Sequence, residues 1–208
     1  MKKTNSQNNW IRRQNKDYFF NLSKKEGYRS RAAYKLIEIH KKYNIIKPDS
    51  KVIDLGASPG GWTQVVSSIL KNNTQKIVAI DKKEMEPVSK CIFFLDDIEK
   101  FLLDNKILKD NSYSLILSDM APNSSGHKFT DQARAEKICY LALNFASRYL
   151  ENEGDFICKY MRGAGEKDFI KEAKKKFKKV IIFKPDASRK ESIENYIVCL
   201  GFNNLQQH

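Results

Sequence analysis

The stretch Val52 to Trp62, VIDLGASPGGW, decides the fold. A β-branched apolar run ends in Asp54; Gly56, Gly60 and Gly61 then allow backbone turns unfavourable for other residues, and Trp62 and Thr63 open an apolar-periodic helix. The pattern is strand, tight loop, helix. In an open α/β sheet a ligand lies at the carboxyl ends of the strands, where a helix N-terminus offers unsatisfied N–H groups. The spacing G-x-x-x-G-G is not the G-x-G-x-x-G of a pyrophosphate cradle, which argues against a dinucleotide. Asp81, at the end of KIVAID, is spaced to hold the hydroxyls of a ribose. Loop and carboxylate together point to an adenosine-containing ligand without a pyrophosphate.

Outward from this motif the chain alternates between strand and helix patterns. Strand KVIDL leads to a helix over 62–70, then to strands KIVAID and CIFFL, a helix over 98–103 and strand SYSLILSDM. A long helix over 131–150, strand GDFICKY, a basic helix over 167–177 and strands KKVIIFK and ENYIVCLGF follow. Such alternation predicts an α/β fold with a mainly parallel, doubly wound sheet. The short PDASRKES join has no room for a crossover helix, so the last two strands should pair antiparallel. Upstream, Tyr18 to Lys25 reads as a short helix, and Ser30 as the N-cap of RAAYKLIEIHKKY, which Asn44 and Pro48 end. The 208 residues suit one domain, taken as 26–208, behind a basic arm over residues 1–25.

The formal net charge of +13 is unevenly placed. Residues 1–47 carry 13 Lys or Arg against three acids, and residues 167–190 carry ten against three, so the remainder is slightly acidic. Basic residues concentrated in two segments, one interleaved with Trp10, Tyr18, Phe19 and Phe20, favour a polyanion such as RNA over a merely solvated surface. Phosphates would run over the arm and Lys167 to Lys179, with Tyr18, Phe19 or Tyr28 available to stack on a base. No apolar run approaches the roughly 20 residues that span a bilayer, and the N-terminus lacks the apolar core of a secretory leader. Cys91, Cys139, Cys158 and Cys199 have no C-x-x-C spacing and read as reduced core residues, which suits a cytoplasmic or organellar-matrix setting. Three histidines in no ligand-like spacing give no expectation of a metal.

Further ionisable residues sit at strand ends. Asp97 in FFLDDIEK reads either as the end of the third strand, accepting from an adenine amino group, or as a helix N-cap. Asp119 in LILSDMAPN ends an apolar fourth strand. Lys159 ends GDFICK; partial burial and a second cation would lower its pKa toward that of a general base.

These residues carry a family resemblance. SRAAYKL (30–36), DLGASPGGW (54–62), SDMAPN (118–123), the lysine of GDFICK, and KPDASRKESIENYIV (184–198) resemble the FtsJ family of RNA ribose 2′-O-methyltransferases, in order over residues 25–202. The resemblance implies a Rossmann-like methyltransferase fold, a seven-stranded sheet with its last strand antiparallel, and S-adenosylmethionine as donor. It carries the family's catalytic Lys-Asp-Lys-Glu set onto Lys35, Asp119, Lys159 and Glu194, and the donor pocket onto Gly56, Ser58, Pro59, Gly60, Gly61, Trp62, Asp81, Asp97 and Asp119. Ser58 and Thr63 stand where the family more often has Ala and Ser, and Asn195 replaces a more usual apolar residue.

On this scheme Lys159 receives or orients the proton of a ribose 2′-hydroxyl, Lys35 lowers the pKa of Lys159, Asp119 holds Lys159, and Glu194 fixes a lysine ammonium. The expected substrate is a uridine of large-subunit ribosomal RNA, within a ribosomal particle, with the tRNA anticodon loop as the alternative. The protein is expected to act as a monomer, without a metal. A small-molecule O-methyltransferase would not need the basic N-terminal segment, and a base N-methyltransferase would show N-P-P-Y-like residues where this chain has DMAP. A non-catalytic RNA-binding or ribosome-assembly module would not need all four catalytic positions, which are present.

Overall fold

The computed structural model describes residues 17–71, 76–104, 108, 112–122, 124–163, 165–189 and 191–203. The first 16 residues of the arm and the position Asn123 of SDMAPN lie outside the described residues. The elements in order are α1 (Tyr18–Lys25), α2 (Ala32–Tyr43), β1 (Val52–Leu55), α3 (Gly61–Ile69), β2 (Ile77–Asp81) and β3 (Cys91–Leu95). They are followed by α4 (Ile98–Asp104), β4 (Tyr113–Ser118), α5 (Lys128–Tyr149), β5 (Leu150–Met161), α6 (Glu166–Lys176), β6 (Phe177–Phe183) and β7 (Glu194–Phe202). One sheet runs β3-β2-β1-β4-β5-β7-β6. The first five strands in that order pair parallel, and β7 pairs antiparallel with both β5 and β6.

Alternation along the central strands divides the core in two. Ile53, Leu55, Ile116, Phe156 and Cys158 face a layer built on α5 and α6, where Leu143, Phe145, Tyr149 and Phe169 are buried. Val52, Leu115, Leu117, Ile157, Tyr196 and Val198 face the opposite layer, where Leu36 and Ile39 of α2 meet Trp62, Val65 and Val66 of α3. Each strand of this centre is therefore apolar on both faces, as a sheet covered on both sides requires. The reversal of strand order between β1 and β4 opens a crevice at their carboxyl ends.

Four local readings are corrected. Ser30 does not cap α2: Arg31 stands at the N-cap with helical φ and ψ and no side-chain cap bond, and the Ser30 hydroxyl instead lies where a Cβ on Gly61 would fall, at 2.4 Å. That hydroxyl fills the space between the starts of α2 and α3. Strand β3 ends at Leu95, so of the two readings of Asp97 the strand-end one is dropped and the N-cap one holds, its Oδ1 accepting from the backbone N–H groups of Glu99 and Lys100 at the start of α4. Strand β5 begins at Leu150, four residues before GDFICKY, because Tyr113 of β4 extends the ladder across an irregularity. It also continues to Met161, so Lys159 lies inside the strand rather than at its end. Elsewhere pattern and structure agree: α1 spans Tyr18–Lys25, and Asn44 closes α2 in the left-handed conformation, φ 50°.

Candidate active site

The site lies at the carboxyl ends of β1, β2 and β4, beside β5 and β7. The β1–α3 loop can turn tightly because Gly56 has φ 75° and because a Cβ there would fall 2.6 Å from Cγ of Met120. Arg29 locks the loop from outside: its guanidinium donates to the carbonyls of Glu86 (2.6 Å), Pro87 (2.8 Å) and Pro59 (3.3 Å). A cavity of about 470 Å³ opens beside the loop, lined by Gly56, Ser58, Asp81, Asp97 and Asp119. Ile98, Met120, Pro122, Ile138 and Leu141 give it apolar walls, and Lys82, Lys83, Arg134 and Lys137 a cationic rim. Asp81 braces the loop, with Oδ2 accepting from Ser58 N–H at 2.9 Å and Oδ1 from Lys83 N–H at 2.8 Å, and each oxygen keeps a second lone pair for a ligand hydroxyl. Asp97 pairs with Lys82, whose ammonium holds the carboxyl below the usual carboxylate range.

Pro59, Gly60, Gly61 and Trp62 do not line this cavity. Trp62 is buried, donates from Nε1 to the carbonyl of Ala32 at 2.8 Å, and lays its ring 5.6 Å from that of Tyr196. It joins α2, α3 and β7.

Asp119 is shared between the cavity and a compact set of ionisable side chains. Lys159 Nζ donates to Asp119 Oδ1 (2.9 Å) and to the Asp119 carbonyl (2.7 Å). Lys35 Nζ pairs with Glu194 Oε1 at 2.6 Å, and Lys159 Nζ lies 3.9 Å from Glu194 Oε2. The four predicted catalytic residues thus stand together, drawn from α2, β4–α5, β5 and β7. Burial pulls the Lys159 pKa down, but Asp119 and Glu194 outweigh it and leave the group above the ordinary lysine value. The expectation that Lys35 would dominate and lower it is therefore corrected: in this arrangement Glu194 occupies Lys35, and two carboxylates face Lys159. Burial raises the Asp119 pKa while Lys159, Lys35 and Tyr196 lower it, with a net result below the usual carboxylate range.

Tyr196 and Ser188 escaped the sequence reading. Tyr196 donates its hydroxyl to Asp119 Oδ1 at 2.6 Å, and Lys35 Nζ stands 5.6 Å from the centre of its ring. The signal was present, since Glu194 and Tyr196 are two residues apart on one strand and share a face. Asn195 points the other way and donates to the Ile193 carbonyl at 3.2 Å, leaving Glu194 to be held by Lys35 and by the Ser188 hydroxyl, which donates at 2.9 Å. Asp54 is fully buried, accepts from the Thr63 hydroxyl at 2.7 Å through Oδ2, and has no hydrogen-bond partner for Oδ1. Of the aromatic residues considered for stacking, Tyr18 is exposed, whereas Phe19 and Tyr28 pack against Tyr34. All four cysteines are free thiols. Among the described residues no cluster of His, Cys, Asp or Glu could hold a metal, and no helix is long and apolar enough to cross a membrane.

The sequence profile of FtsJ-like methyltransferases matches residues 28–202. The chain belongs to this family. FtsJ-like methyltransferases similar to it include proteins named ribosomal RNA large subunit methyltransferase E from Rickettsia bellii, 44% identical, and Rickettsia felis, 42% identical. Each alignment covers 96% of this chain and 91% of the relative. A solved structure of a ribosomal RNA methyltransferase, putative, from Plasmodium falciparum superposes with a TM-score of 0.72 at 32% identity, over 84% of this chain and 98% of that one. This FtsJ-like methyltransferase therefore needs a methyl donor of the S-adenosylmethionine type, and the cavity suits one. Its lining combines the carboxylates of Asp81, Asp97 and Asp119 with apolar walls, beside a loop whose Gly56 passes close to Met120.

Proposed function

We propose that this methyltransferase transfers a methyl group from S-adenosylmethionine to a ribose 2′-hydroxyl of large-subunit ribosomal RNA, most specifically of a uridine, within a ribosomal particle. The observation that carries the reading is the joining of two features at Asp119: a nucleoside-sized cavity on one side and the Lys35–Glu194, Lys159–Asp119 set on the other. Asp81 would hold the donor's ribose, Asp97 its adenine, and Ile98, Met120, Ile138 and Leu141 the faces of the ring. The bound donor supplies a methyl group already activated on a sulfonium, so the protein must chiefly align the acceptor and manage one proton.

Lys159 is assigned as the proton acceptor, since its Nζ reaches Oδ1 of Asp119, a residue that lines the cavity, at 2.9 Å. Asp119 and Tyr196 fix its position, and Lys35, steered by Glu194, orients the ribose. Relatives named for ribosomal RNA, together with the two basic segments, support ribosomal RNA as the polyanion.

The test is methyl transfer from labelled S-adenosylmethionine to unmodified ribosomal large subunits, free ribosomal RNA and tRNA. Label is expected on the ribosomal substrate as a 2′-O-methyl nucleotide, abolished in Lys159→Ala while donor binding persists. Label on tRNA alone would overturn the substrate, and full activity of Lys159→Ala the proton acceptor.

A further inference from the structure

Two arginines beside the catalytic set share a single carboxylate. Arg31 pairs through Nη1 with Asp17 Oδ2 and donates from Nη2 to the Ala187 carbonyl. Arg189 Nη2 reaches the same Asp17 oxygen at 3.4 Å. The second Asp17 oxygen is engaged by Phe20 N–H at 3.2 Å, as the N-cap of α1. The Asp17 side chain is 10% exposed and that of Arg31 20%, whereas Arg189 is 43% exposed, so the cluster is open on the Arg189 side. The closeness of the guanidiniums is felt electrostatically: burial first, then the neighbouring Arg189, lower the Arg31 pKa, partly offset by Glu194 and Glu191.

The cluster is tied rigidly to the site. Arg31 precedes Lys35 by four residues and already has helical φ and ψ, so the two side chains lie on one face about one turn, roughly 5.4 Å, apart. Arg189 follows Ser188, whose hydroxyl holds Glu194, the partner of Lys35. Glu38 fixes the loop between β6 and β7 by accepting from Asp186 N–H (2.6 Å) and Ala187 N–H (2.9 Å).

We infer that Arg31 and Arg189 form the site for a phosphodiester flanking the target ribose, occupied in the free protein by the protein's own Asp17 carboxylate, which the RNA phosphate displaces. The inference rests on the reading of an RNA substrate above. A ribose 2′-oxygen and its 3′-phosphate are joined through C2′, C3′ and O3′, a short reach that matches one helical turn between Lys35 and Arg31. Guanidinium groups form fork-shaped, charge-assisted bonds with phosphate, and the two non-bridging oxygens of a phosphodiester can meet both arginines, which now share the single oxygen Asp17 Oδ2. The carboxylate keeps the two like charges from repelling each other until RNA arrives.

Two variants test this, each measured for binding to in-vitro transcribed large-subunit ribosomal RNA across a salt series, for binding of S-adenosylmethionine, and for methyl transfer. Arg189→Gln is expected to weaken RNA binding about tenfold and to lower the log–log salt slope by about one, with donor binding unchanged. Asp17→Asn keeps an N-cap residue for α1 and is expected to bind RNA about threefold tighter. An unchanged salt slope in Arg189→Gln overturns the phosphate site, and an Asp17→Asn protein that binds RNA no tighter overturns the displacement. The wild-type protein in the same samples separates the two levels: if it methylates no RNA, the functional reading fails, whereas methylation with either overturning result sinks only this inference.

Discussion

Asp54 is a carboxyl group that the fold does not allow to ionise freely. Fully buried, bonded through one oxygen, and close to Asp119 and Asp81, it is pushed up to about 7, chiefly by burial. A folded-state pKa above the unfolded one means that its contribution to stability is complete below about 4 and is lost as pH rises through about 7. Asp54→Asn should therefore flatten the dependence of stability on pH across that window. The wild-type loss is on the order of 4 kcal/mol for a shift of about three units. Thermal unfolding of both proteins at pH 5 and pH 8 checks it; parallel melting shifts in the two would refute the assignment. Lys159 makes the opposite demand. Because Asp119 and Glu194 hold it above the ordinary lysine value, little of it is neutral near pH 7. If it accepts the substrate proton, the single-turnover rate should rise close to tenfold per pH unit from about 6 to about 8, and a flat profile would remove it from that role.

At the scale of elements, the loop from β1 into α3 depends on an atom that is not there. Gly56→Ala places a Cβ against Cγ of Met120 on a backbone of φ 75°, so the loop or the segment after β4 must shift. The expected result is a loss of about 2 kcal/mol in unfolding free energy together with weaker donor binding, by calorimetry; donor affinity equal to wild type would show that the close approach is dispensable. This loop was legible in VIDLGASPGGW, as were the seven strands and the antiparallel final pair, because each rests on local spacing and on the two-residue period of buried strands. What was not legible depends on who stands opposite. The Ser30 cap failed because Gly61 of another helix leaves room for its hydroxyl, and the pKa of Lys159 was misread because sequence spacing does not tell which lysine Glu194 meets. The buried Asp54 oxygen and the Tyr196 hydroxyl on Asp119 likewise exist only once β1, β4 and β7 share a sheet.

For the whole molecule, the uneven charge becomes a surface. Lys167, Lys171 and Lys174 follow the i, i+4, i+7 spacing of a single helix face on α6 and are all exposed. Replacing all three by Gln should lower RNA affinity uniformly across sequences and reduce the log–log salt slope by about two to three, while kcat at saturating RNA is kept; an unchanged slope would take α6 out of the RNA path. The sheet adds a consequence of timing. β7 lies between β5 and β6 in space but follows both in the chain, and it brings Glu194 and Tyr196. A nascent chain that has emerged only as far as β6 has an empty lane in its sheet, an unanchored Lys35 and an Asp119 without its tyrosine. Synthesis itself thus withholds the proposed catalytic set until the seventh strand threads home.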